Sequence, residues 1–219
     1  MQLQDLSDRA QDYLKALWDL GEHNGGAPAP LSELAARLGQ KMPTASEAVK
    51  RLAAKGLVKH TPYSGIELSE EGRRLAIEVV RRHRLLETFL VEKLGYTWDE
   101  VHDDADRLEH GCSERFINRI GELLGNPTRD PHGDPIPTSA GVIEDLGLQT
   151  LAGVEVGQTV TVERFCDGSP ELLRYAFKNG LGVGSKATVV EKEMGLIKVD
   201  VEGRQLVFGD QTAEDITVS

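Results

Sequence analysis

Apolar residues at Tyr13, Leu14, Leu17 and Trp18, with Ala10, recur at helical spacing and predict a helix from about Ser7 to Leu20, capped by Ser7 or Asp8. The glycines and prolines of GEHNGGAPAP (21–30) predict a loop. A short helix from Leu31 to Leu38 should end at Gly39. A second runs from Pro43 to Lys55, with Thr44 and Glu47 spaced as a capping box and Gly56 as its stop. Ala48, Val49 and Leu52 are its buried side. The stretch LVKHTPYSGIELS then reads as two short strands about Tyr63, Ser64 and Gly65. Helix, helix-turn-helix, hairpin is the order of a winged helix-turn-helix domain.

A long amphipathic helix is predicted from Ser69 to about Leu94, before Gly95, with Glu70 and Glu71 in its first turn. Another starts at Thr97, where Thr97 and Glu100 are spaced as a capping box, and is expected to continue to about Leu124. Residues 125–153 are rich in Pro and Gly and read as loop and linker. From Gln158 onward the period changes to two: TVTVERF, ATVVEKE, LIKVDVEG, QLVFGD and ITVS alternate apolar with polar. One helical piece, Pro170 to Lys178, interrupts them, and the pattern is that of a small β-barrel. The fold class is mainly α with small β, divided at 1–75, 76–145 and 146–219.

Charge sharpens the picture at the N-terminus. The 219 residues carry 25 Lys and Arg against 36 Asp and Glu, a net charge of −11. Residues 1–75 hold 10 basic and 10 acidic side chains, so the whole deficit lies beyond them. Within 37–60, Arg37, Lys41, Lys50, Arg51, Lys55 and Lys59 face only Glu47. A local basic stripe on an acidic chain is the footprint of a specific DNA binder. Two cysteines, Cys112 and Cys166, lie far apart and outside any CxxC, which excludes a disulfide framework or thiolate zinc finger and fits a reducing cytoplasm. The start, MQLQDLSDRA, reads as no signal peptide, and no run has the length of a membrane span. The expected location is cytoplasmic.

The strongest chemical pattern lies after Thr97. His102, Asp106, Glu109 and His110 stand at offsets 0, 4, 7 and 8, on one side of a helix. Two imidazoles and two carboxylates on one face suit a divalent cation. His83 and Glu87, four apart on the preceding helix, are placed to join, as is Asp12 if the first helix packs nearby. Cys112, two residues past His110, is turned away by the helix, and His132 in the PHGDP loop is expected to be structural or exposed.

The segments QDYLKALWDL (11–20), PTASEAVKRLAAKGLV (43–58), RRHRLLETFL (81–90), VHDDADRLEH (101–110) and GDPIPT (133–138) resemble the diphtheria-toxin-repressor family of metal-dependent regulators over nearly the whole chain. The resemblance implies an N-terminal winged helix-turn-helix, a helical dimerisation and metal domain, and a C-terminal SH3-like, FeoA-like barrel. It also implies a homodimer on a double-stranded DNA operator, with about two cation sites per subunit. One site falls by position on Asp12, Asp106, Glu109 and His110. The other falls on His83, Glu87 and His102, with oxygen ligands from the last domain, where Asp167 and Glu171 are the available carboxylates. Iron-responsive members resemble one another in carrying Met and Cys where this chain has Asp12 and Asp106. Carboxylate, imidazole and water suit Mn2+, whereas soft sulfur suits iron and its later neighbours. Mn2+ is therefore the expected ion and Fe2+ the alternative. Lys15 stands where shorter manganese regulators resemble one another in having an acid, which argues against a closely spaced dinuclear cluster of their type.

The predicted recognition helix brings Pro43 and Thr44 to thymine methyls and Ser46 and Glu47 to base edges. Lys41, Lys50 and Arg51, with Arg9 from the first helix, should address phosphates, and Tyr63 and Ser64 the backbone beside the wing. The function expected is a metal-dependent repressor of metal-homeostasis genes. A metal-independent winged-helix regulator is a second reading. An enzyme is disfavoured, because the chain lacks HExxH, a nucleophile motif and a phosphate-cradling glycine loop.

Overall fold

Ser7 is extended and caps α1 (Asp8–His23), its hydroxyl accepting from the Ala10 N–H at 3.4 Å. The helix runs one turn past the expected end, through Gly21, because one glycine costs a helix only about 1 kcal/mol and the Gly25–Gly26 pair at positive φ is what stops it. In the computed structural model, which describes residues 1–61, 64–147, 149–166 and 169–219, two units emerge. The first comprises Met1–Arg82 with Pro137–Val142, the second His83–Ile136 with Ile143–Ser219. Tyr63 and Asp167 lie outside the described residues.

In the first unit α2 (Leu31–Arg37) and α3 (Met42–Ala54) follow α1, then a hairpin of β1 (Val58–Thr61) and β2 (Gly65–Leu68) paired from Val58↔Leu68 to Thr61↔Gly65. Leu14, Leu34, Ala45, Val49, Leu57, Ile66 and Leu75 are buried there. This is the winged helix-turn-helix that the pattern predicted. The capping box does not form: α3 begins at Met42 with Lys41 as its cap residue, so Thr44 lies inside the helix. Glu47 faces Lys50 at 3.9 Å and Arg51 at 3.8 Å instead.

Helix α4 (Glu70–Leu94) starts in the first unit, and the division falls within it. Its first turn is fixed by Ser69, whose hydroxyl accepts from the Gly72 N–H at 3.0 Å and donates to the Gly56 carbonyl at 2.7 Å. Gly72 has no room for a side chain, since a Cβ there would lie 1.9 Å from the Leu57 carbonyl oxygen.

In the second unit the helix expected from Thr97 to Leu124 is two helices, α5 (Val101–Glu109) and α6 (Glu114–Leu123). Gly111 and the capping side chain of Ser113, which accepts from the Phe116 N–H at 3.3 Å, break it. The Thr97 and Glu100 pair does bond, Thr97 N–H to Glu100 at 3.0 Å, but one turn ahead of α5. Leu85, Leu86, Leu90, Val101, Ala105, Ile117, Ile120 and Ile136 form one core.

The SH3-like part is a five-stranded antiparallel sheet in the order β6-β5-β4-β3-β7, with β3 Thr159–Phe165, β4 Lys186–Glu193, β5 Leu196–Val201, β6 Arg204–Gly209 and β7 Ile216–Val218. Helix α7 (Pro170–Lys178) matches the expected piece, and the short α8 (Asp210–Glu214) was not anticipated. Phe165, Leu173, Val189, Val199 and Ile216 are buried in the barrel, and Trp98 packs against it from the segment before α5. Among the described residues no helix is long and apolar enough to cross a membrane.

Candidate metal centre and recognition helix

Helices α4 and α5 supply the first group of ligand-type side chains. His83 and Glu87 sit one turn apart on α4, and both are buried. His102, Asp106 and Glu109 line one face of α5, and His110 is its C-cap. The His83 ring is enclosed by acids: its Nδ1 lies 2.7 Å from Glu109 Oε2 and 3.2 Å from Asp106 Oδ1, and its Nε2 lies 3.0 Å from Glu87 Oε1. His102 Nδ1 lies 3.3 Å from the same Glu87 oxygen and 3.2 Å from His83 Nε2, with the rings edge-on at 71°. His110 Nε2 stands 3.7 Å from Glu109 Oε1. His83, His102 and Asp106 each offer one ligand atom within 4.8 Å of the others.

These groups fit a divalent cation. Burial raises the Glu87 carboxyl, but the charge on His83 and the neighbouring imidazoles of His102, His132 and His83 outweigh it and hold the group well below the usual range. A carboxylate 1% exposed thus relies on imidazoles for its positive partners. Buried acids crowded against nitrogen donors are what a cation site looks like before the cation takes the place of protons.

The structure adds two residues that the sequence reading set aside or missed. The 130–134 turn brings Asp130 and His132 to the other side of Glu87, and Glu87, Asp130 and His132 form a second group within 4.8 Å, all buried. His132 Nε2 lies 2.6 Å from the Trp98 carbonyl oxygen. A carbonyl only accepts, so Nε2 carries the proton. Nδ1, buried with no hydrogen-bond partner, is left 3.7 Å from Glu87 Oε2. One ring nitrogen held by a backbone carbonyl and the other free is the posture of a ligating histidine. Without a cation that nitrogen attracts a proton: desolvation lowers the His132 pKa, but the adjacent Glu87 carboxylate and the charge of Asp130 raise it to about 10. Burial, then the charges of Asp134 and Glu87, raise Asp130 well above the carboxylate range. His132 is therefore buried and clustered rather than exposed. The signal available in the sequence was the Asp-x-His-x-Asp spacing of DPHGD.

Two other candidates are placed differently. Glu171 on α7 keeps an 81% exposed side chain, pairs with Arg174 at 3.2 Å, and belongs to neither group of the second unit. Asp12 is half-buried on α1 of the first unit.

On the DNA side, Lys41, Pro43, Thr44, Glu47, Lys50 and Arg51 are exposed on α3 or at its start, and Ser46 is half-buried. Ser64 is exposed in the hairpin turn. Arg9 lies beside them: its guanidinium and the Tyr13 hydroxyl, at 2.6 Å, both donate to the Gln40 side-chain oxygen. A cleft of about 610 Å3 runs between α1 and α3, edged by Arg9, Arg51 and Lys55. That edge is positive on an acidic chain.

Three family models match. Residues 5–66 match the iron dependent repressor, N-terminal DNA binding domain; 69–138 the iron dependent repressor, metal binding and dimerisation domain; and 149–219 the FeoA domain. The chain is 39% identical over 168 residues to the iron-dependent repressor IdeR of Mycobacterium tuberculosis, covering 77% of this chain and 70% of that protein. It is 36% identical over 230 residues to the diphtheria toxin repressor of Corynebacterium diphtheriae, covering 99% of each. Among solved structures, a manganese-dependent transcriptional repressor in complex with manganese superposes with a TM-score of 0.90 at 42% identity, covering 95% of this chain and 98% of that one. The manganese regulator SloR superposes with a TM-score of 0.82 at 31% identity, covering 96% and 97%.

Proposed function

Because this chain belongs to the iron-dependent repressor family, whose members are metal-dependent transcriptional repressors, we propose that it represses metal-homeostasis genes in response to Mn2+, binding a DNA operator as a homodimer. The observation that carries the reading is the group of imidazole and carboxylate side chains His83, Glu87, His102, Asp106 and Glu109. Such a donor set suits Mn2+, the weakest binder of the first-row series, better than ions that exploit thiolate. The likeness in fold to a manganese-dependent repressor at TM-score 0.90 supports the same ion.

In this reading each subunit takes about two cations. By resemblance, Asp12 joins Asp106, Glu109 and His110 in one. His83, Glu87 and His102, with Asp130 and His132 beyond Glu87, supply the other. A bound divalent ion would neutralise the carboxylates and replace the protons on the imidazoles. Glu87 serves two directions at once, one oxygen toward His83 and His102 and the other toward His132. Glu109 accepts from His83 and orients its ring. Because Asp12 is carried by the DNA-binding unit, its ligation in the set implied by resemblance would tie occupancy to the pose of α3. By reciprocity, DNA then tightens cation binding by the factor by which the cation tightens DNA binding. In a dimer, two such helices address half-sites about one helical turn apart.

Titrating a promoter fragment by fluorescence anisotropy with Mn2+ and then with chelator tests this. Retention that requires Mn2+, and is lost in Asp12→Ala with an unchanged circular dichroism spectrum, is expected. Binding that is indifferent to chelator overturns it in favour of a metal-independent regulator. Activation by anaerobic Fe2+ at concentrations where Mn2+ fails would reassign the ion, the reading that kinship to iron-dependent repressors favours.

A further inference from the structure

We propose that Arg164, on strand β3 of the SH3-like sheet, is the positioning residue for the Asp130 and His132 half of the cation site, so that this half-site is assembled only when the 130–134 turn is docked on the sheet. The inference rests on the cation reading above.

The turn contains both ligand-type side chains, yet it is not held by its own module alone. Internally, one Asp130 carboxylate oxygen accepts from the N–H groups of His132 at 2.8 Å and Asp134 at 2.9 Å, which closes the turn. Its placement comes from β3. The Phe165 N–H donates to the His132 carbonyl at 2.9 Å. Gly133 lies against the strand so closely that a Cβ would meet the Glu163 carbonyl oxygen at 2.1 Å. Asp134 is bracketed by two buried guanidiniums: Arg164 Nη1 at 3.2 Å from Oδ1 and Arg84 Nη2 at 3.5 Å. Arg84 also donates to the Pro135 carbonyl at 2.7 Å.

Arg84 is on α4, one residue from His83, and Arg164 is on the sheet, so Asp134 is the point where the helical part and the sheet grip the same turn. Both arginines are 5% exposed and Asp134 8%. A buried charge is kept only with its partners, so removing one guanidinium unbalances the cluster beside Asp130 rather than a solvated pair. Phe165, the next residue of β3, contacts Trp98 at 5.4 Å between ring centroids, and Trp98 supplies the carbonyl that fixes the His132 tautomer. Arg164 acts on the turn through Asp134.

Isothermal titration of the full chain with Mn2+ tests this, using Arg164→Met, which keeps the length and removes the charge, Arg164→Lys, which keeps the charge, and His132→Ala as the reference. Wild type should take up about two equivalents. Arg164→Met should weaken one of them tenfold or more, about 1.4 kcal/mol, and so should His132→Ala. The double variant should be no weaker than His132→Ala alone, because both act on one half-site. Arg164→Lys should recover most of the loss. An Arg164→Met chain that melts earlier but keeps both equivalents overturns the inference and leaves Arg164 a purely structural residue, and an additive double variant does the same. If Arg164→Met does not fold, Asp134→Asn, which keeps the shape of the turn, replaces it with the same expected and overturning results. A wild type that takes up no Mn2+ instead refutes the cation reading itself.

Discussion

Substituting Gly72 by Ala sets local preference against tertiary contact with opposite signs. Gly72 lies in the first turn of α4, where alanine is favoured over glycine by about 1 kcal/mol. A Cβ there would stand 1.9 Å from the Leu57 carbonyl oxygen and 2.9 Å from its carbon, both backbone atoms at the entry to β1. An ordinary carbon–oxygen approach is roughly 3.3 Å, so helix and hairpin must separate by about 1.4 Å. That retreat strains the core at about 1–3 kcal/mol. It also pulls on the Ser69 bonds to Gly56 and Gly72, at 2.7 and 3.0 Å, each worth about 1 kcal/mol. After the propensity gain, a net loss of about 2–4 kcal/mol remains if both bonds are lost. Gly21 is the control, since it too is helical but a Cβ there meets nothing within 4 Å. Urea denaturation followed by circular dichroism should show Gly72→Ala less stable and Gly21→Ala unchanged or stabilised by up to about 1 kcal/mol. Because the displaced element is the wing hairpin, operator affinity should fall for Gly72→Ala even where the chain is fully folded. A Gly72→Ala protein as stable as Gly21→Ala would refute the reasoning.

Glu87→Gln, which keeps the shape of a side chain shared by both ligand groups of the second unit, should lower Mn2+ affinity in calorimetry at least tenfold, whereas Glu171→Gln, on an exposed side chain, should leave it unchanged. Lys50→Ala and Arg51→Ala should each weaken operator binding and flatten the plot of log affinity against log salt by about one unit, measured by anisotropy between low and high salt. Glu71 is held at about 2 by the Arg74 guanidinium at 2.9 Å and the N-terminal ammonium at 3.2 Å. The contribution of this depressed carboxylate is present above its ordinary value of 4.5 and lost as pH falls through about 2, and a carbon-detected NMR titration should place its midpoint near 2 in wild type and higher in Arg74→Met.

Elements whose signals lie within a few residues were legible in the chain. The winged helix order, the α7 piece and the alternation of β3 to β7 follow from periodicity and turn residues, which are properties of neighbours along the sequence. So was the helical phase that puts His102, Asp106 and Glu109 on one face, with His83 and Glu87 one turn apart on α4. The break between α5 and α6 was harder to see, because the capping of Ser113 competes with a helical pattern that continues on both sides of it.

What the chain could not announce is everything decided by distant backbone. Asp130 and His132 become a ligand pair only because the turn that carries them is pressed on β3 and aimed at Glu87, more than forty positions earlier. Glu171, one of the two carboxylates that the resemblance offered, is turned by α7 to Arg174 and solvent. Local sequence sets which conformations each stretch prefers, by a kcal/mol or so per residue. Which buried groups meet is settled by packing at interior density, where a single carbonyl against Gly72 or Gly133 outweighs those preferences.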